Sequence, residues 1–62
     1  MMKKDPRDKR FYQLQKKDKS QLTQNEIEEY LEYCEEMIKY VDYIKARKGW
    51  ISLKNELLEK QI

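Results

Sequence analysis

The sequence predicts an all-α fold: a small three-helix protein, a helical hairpin plus a short N-terminal helix, with a long central helix as spine. Three observations predict it. Thr23-Gln24-Asn25-Glu26 has the spacing of a capping box, in which an N-cap hydroxyl and a Glu three residues on satisfy each other's backbone N–H. Apolar residues then recur at 27, 30, 31, 34, 37, 38, 41 and 44, the steps of three and four that keep one helical face. No strand-like alternation and no internal repeat occurs, so the chain of 62 residues is read as a single domain over 1–62, with helices near 6–19, 23–48 and 50–61.

The first helix is marked by Asp5-Pro6-Arg7-Asp8. Asp5 suits an N-cap, Pro6 suits the first helical position where its missing N–H costs nothing, and Asp8 lies in the first turn. Phe11 and Leu14 are its clear apolar pair, and Ser20-Gln21-Leu22 forms the link. In the second helix Leu22 and Ile27 are placed for a hydrophobic staple around the capping box. At about 100° per residue its apolar face spans roughly 160–180°, with Glu28, Glu29, Glu32, Glu35, Glu36 and Asp42 opposite. Gly49 is the expected stop, with Lys45, Arg47 and Lys48 in the last turn and Trp50 as the apolar contact that follows. Ser52 would cap a third helix carrying Leu53, Leu57, Leu58 and Ile62. A helix continuous through Gly49 is the competing reading, since one interior Gly costs only about 1 kcal/mol.

Composition narrows the chemistry. Charged residues make up 42% of the chain, and hydrophobic residues, Tyr included, 39%. A chain this short buries only about 60% of the surface its unfolded form exposes, so the isolated monomer is marginal and a second copy or a partner would support it. There is no His and one Cys, one Gly and one Pro. One Cys cannot build a zinc site or an internal disulfide, and Cys34 reads as a small core residue. A single Gly excludes a glycine-rich phosphate loop. The expectation is therefore a chain that is not an enzyme, binds no metal and needs no cofactor. No apolar run reaches the 18 or more residues of a membrane span, and no signal-peptide core follows Met1, so the expected location is the cytoplasm, with no membrane partner. Lys outnumbers Arg eleven to three, the residue usage of an AT-rich gene, as in low-GC bacteria and their phages.

Charge is segregated along the chain. Residues 1–19 carry net +5, residues 20–37 net −6 and residues 38–62 net +3. Such blocks can fold against each other or face different partners. Two candidate surfaces follow. Tyr33, Met37, Tyr40, Tyr43 and Trp50 are of the types enriched at interface cores, and with Ile44 they point to a protein–protein module: an accessory regulator or inhibitor of a larger protein, phage-encoded on the compositional hint. The apolar face centred on Tyr30, Cys34, Met37 and Val41 is wider than two short helices are expected to cover, which predicts a dimer pairing the central helices antiparallel. The alternative is a small nucleic-acid-binding regulator using Lys9, Arg10, Lys16 and Lys17 on the first helix. A structural part of a larger assembly is the third reading.

Overall fold

The computed structural model describes residues 4–60. Its elements are α1, Lys9–Lys16; a short 3-10 turn, Lys19–Gln21; α2, Gln24–Tyr40; and α3, Ile44–Lys60. The all-α class and the three-helix plan hold, and no strand occurs among the described residues. The boundaries differ from the sequence expectation in three places, each for a physical reason.

Helix α1 starts three residues later than expected, because Asp5 is occupied. The Asp5 carboxylate accepts from the backbone N–H of Arg7 at 2.9 Å and from its guanidinium at 2.6 Å, closing a turn around Pro6. Asp8 caps in its place, with an extended backbone and a carboxylate that accepts from the Phe11 N–H at 3.0 Å. The C-terminal end comes early because Asp18 caps the next turn, accepting from the Ser20 N–H at 3.1 Å and its hydroxyl at 3.0 Å. Side chains of this type offer the backbone a local alternative to continuing the helix.

Helix α2 begins as expected. Glu26 N–H donates to Thr23 Oγ1 at 3.2 Å and Thr23 N–H donates to Glu26 Oε1 at 3.0 Å, the closed capping box. It then ends at Tyr40, eight residues short of the expected stop, and Val41 turns extended with φ −79° and ψ 135°. Gly49 is therefore not a helix stop, and Ser52 is not a cap. Both lie inside α3, and no described glycine adopts a positive φ. The new break, Val41-Asp42-Tyr43, combines weaker helix formers. The Arg47 guanidinium donates to the Val41 carbonyl at 2.9 Å, and the Tyr43 carbonyl accepts the first bond of α3 from Arg47 N–H at 3.0 Å.

Folding back at residue 41 is what burial favours. A helix running straight to residue 48 would leave the apolar face of α2 in water, whereas the turn lays α3 along it. Phe11, Leu14, Ile27, Tyr30, Cys34 and Leu57 form one core cluster, with Leu22, Leu31, Tyr33, Trp50 and Leu53 packed around it. Phe11 is the hub. The rings of Tyr12, Tyr30, Tyr33 and Trp50 stand 5.2, 5.9, 5.5 and 5.7 Å from it, the first three edge-on, the arrangement favoured by ring quadrupoles. Trp50 thus packs onto α1 from within α3, not as a contact after a helix stop. The expected Ile62 contribution lies outside the described residues.

Candidate functional site

The segregated charges fold against each other. Arg10 of α1 holds Glu29 of α2 through a two-pronged contact, Nε to Oε2 at 3.0 Å and Nη2 to Oε1 at 2.9 Å. Lys17 donates to Glu26 at 2.7 Å, and Lys19 reaches Glu56 of α3 at 2.8 Å. These contacts hold the Glu26 carboxyl at about 2, chiefly through Lys17 and then the Thr23 N–H, and they lower the Glu29 and Glu56 carboxyls through Arg10 and Lys19 respectively. Of the four basic residues considered for phosphate contact, Arg10 and Lys17 are spent on these internal pairs. Lys9 and Lys16 are exposed. A phosphate-binding face that has lost half its charge to neighbouring carboxylates is a weak one.

The aromatic set divides. Met37 is buried at 2% exposure and offers a partner nothing. Of the face expected to be left over, Tyr30, Cys34 and Met37 are buried inside the monomer and Val41 is half-buried. Burial also pushes the Cys34 thiol up to about 11, the state of an inert core cysteine. Tyr33 is half-buried, and its hydroxyl donates to the Asp8 carboxylate at 2.7 Å, which raises the phenol to about 12. Tyr33 thereby joins α2 to the cap of α1. Tyr40 is half-buried beside Lys4, Pro6, Glu36 and Lys39 along an open groove. Trp50 serves the core. Tyr43 and Ile44 alone stand fully out, each 64% exposed.

Those two begin a surface that the sequence reading missed. Ile51 and Leu58 are 40% and 45% exposed, and Ile44, Ile51 and Leu58 are spaced seven residues apart on one continuous helix. At about 100° per residue they fall within an arc of roughly 40°. The opposite stripe of α3, with Trp50, Leu53 and Leu57, faces the core. The signal was present in the spacing, but a stop at Gly49 assigns Ile44 and Ile51 to different helices and dissolves it.

Enclosed chemistry is sparse. Two concavities among the described residues are both open: one lined by Pro6, Glu29, Glu32, Tyr33 and Glu36, of about 230 Å³, and the groove along Lys4, Pro6, Glu36, Lys39 and Tyr40, of about 340 Å³, below and at the lower end of the roughly 300–1,000 Å³ of ordinary ligand pockets. Among the described residues no group of three or more metal-ligating side chains is gathered, and no buried side-chain polar atom lacks a partner. No described helix is long and apolar enough to cross a membrane. No protein-family model matches the chain, and comparisons with curated proteins and with solved structures return no significant match.

Proposed function

We propose that this chain is a non-enzymatic protein–protein interaction module, a small regulator or inhibitor that acts by occupying a surface of a larger protein through the outer face of α3. The observation that carries this reading is the line of Ile44, Ile51 and Leu58, with Tyr43 beside its start. Scattered apolar residues on a surface need no explanation, but three in register on one helix form a continuous narrow apolar line that another surface can cover. A second feature supports it. Lys45, Arg47 and Lys48 crowd the beginning of α3, which carries no acidic residue in its first turn, although a helix N-terminus favours anions. Arg47 is engaged by the Val41 carbonyl, but Lys45 and Lys48 are poorly placed for the helix's own stability, and local misfits of this kind gather where a surface serves something else.

Burying what Ile44, Ile51 and Leu58 still expose contributes roughly 2–5 kcal/mol at about 1.5–3 kcal/mol per whole side chain. Association costs about 4–15 kcal/mol, so polar contacts flanking the stripe have to supply the difference.

The test is affinity capture from nuclease-treated extract of the native host, with three baits: the natural chain, Ile51→Glu, and Lys9→Gln with Lys16→Gln. The expected result is a stoichiometric protein retained by the first and third baits and lost with Ile51→Glu, whose circular dichroism should stay that of the natural chain. Nucleic acid recovered alone, or a partner indifferent to Ile51→Glu, refutes the reading.

A further inference from the structure

The α3 stripe carries information about the charge of what it binds. Around the arc of Ile44, Ile51 and Leu58, the nearest positions on one side are Arg47 and Lys54, and on the other Lys48 and Asn55, all within about 60° of its centre at 100° per residue. Three of the four are cations and none is a carboxylate. Lys54 Nζ meets Glu35 of α2 at 3.4 Å, while Arg47 donates to a backbone carbonyl and Lys48 has no ion-pair partner among the described residues. The nearest α3 carboxylate, Glu59, lies about 80° from the stripe's centre, and Glu56 is turned away to Lys19.

That pattern selects among possible occupants. A second copy does not fit, because two such stripes face to face, parallel or antiparallel, oppose cation to cation. The outer face of α2 supplies negative charge in Glu28, Glu32 and Glu36, yet all its exposed residues are polar, so it has no apolar line to meet the stripe. A lipid surface does not fit either, since helices that lie in a membrane interface present a broad apolar face and this one is about 40° wide. A narrow apolar line, one residue in seven where a coiled-coil seam has two, is of a width that a single helix can cover, and the charges bordering it set partner choice.

We infer that α3 docks an acidic amphipathic helix of another protein, one with apolar side chains repeating every seven residues and Asp or Glu at the positions bordering them. This rests on the interaction reading above and adds the partner's chemistry.

The test is a display selection against the immobilised full chain, using helical peptides with a fixed apolar heptad line and bordering positions randomised among Glu, Lys and Gln. Glu should dominate the enriched borders. The selected peptide should lose about tenfold or more in affinity against Ile51→Glu, as for a central anchor residue. Lys48→Glu should weaken the Glu-bordered peptide and strengthen its Lys-bordered counterpart. Enrichment of Lys or Gln borders, or no preference, overturns the acidic partner while leaving α3 as a binding surface. No enrichment over the Ile51→Glu control overturns both. Binding of the chain to phosphatidylserine-containing vesicles, with no helix selected, replaces the inference with a membrane role.

Discussion

Glu26 shows how much structure a single side chain can organise here. One oxygen closes the capping box on the Thr23 N–H at 3.0 Å, and the other accepts from Lys17 at 2.7 Å and stands 3.9 Å from Arg10. The start of α2 and both ends of α1 are thus tied to one carboxylate. Its carboxyl is lowered from 4.5 to about 2, so the unfolded chain takes up a proton there before the folded chain does. Stability from this group is complete above about pH 4.5 and is lost as pH falls toward 2. Asp8, Glu29 and Glu56 are lowered as well and act in the same direction. The urea midpoint should therefore stay level from pH 7 to about 5 and drop below it, and Glu26→Gln should flatten part of the drop while lowering the plateau. The capping box was legible from Thr23 and Glu26 alone, because it is set by a spacing of three within one helix. The Lys17 and Arg10 contacts were not, because they depend on where a different helix lies. The choice of Asp8 over Asp5 as the α1 cap was also hidden, since Arg7, two residues after Asp5, competes for its carboxylate.

At the scale of elements, the break between α2 and α3 separates local from non-local evidence. Gly49 with Lys45, Arg47 and Lys48 before it satisfies every local rule for a helix end, yet the chain turns at 41–43 and runs helically through all four. The gain lies in contacts the local sequence does not contain: Trp50 against Phe11, and Leu53 and Leu57 against the core of α2. Gly49 is then an ordinary interior helix residue on an exposed surface, and a Cβ added there meets nothing within 4 Å. Gly49→Ala should stabilise the protein by about 0.5–1 kcal/mol, raising the thermal midpoint by a few degrees in circular dichroism. A stop at Gly49 in the left-handed conformation predicts the opposite sign, so the same variant distinguishes the two geometries. The candidate site suffered from the same error. Tyr43 and Ile44 were legible as partner-binding candidates, but Ile51 and Leu58 join them only once α3 is continuous.

The whole molecule is a slender body of 37 × 22 × 16 Å, with α3 folded back along α2 and α1 closing the remaining side through Phe11 and Leu14. Its fully buried set is short, and Leu57 is the only residue of α3 in it. Leu57→Ala removes that anchor at a cost of about 2–5 kcal/mol, a large share of what a domain of this size possesses. The variant should show loss of cooperative unfolding and of much of its helical circular dichroism at 25 °C. Ile51→Glu and Leu58→Glu, whose side chains lie on the exposed stripe of α3, should leave both intact. That contrast separates one stripe of α3, which holds the fold together, from the other, which we propose faces a partner. Photo-crosslinking reads the second role out in the cell. A benzophenone side chain is placed singly at Ile44, Ile51, Leu58, Lys9, Lys16, Glu28 or Glu36, in the native host and with nuclease treatment before analysis. The prediction is a crosslink to one common protein from 44, 51 and 58 and from none of the other positions. Crosslinks from α1 or from the acidic face of α2, with α3 silent, would contradict it.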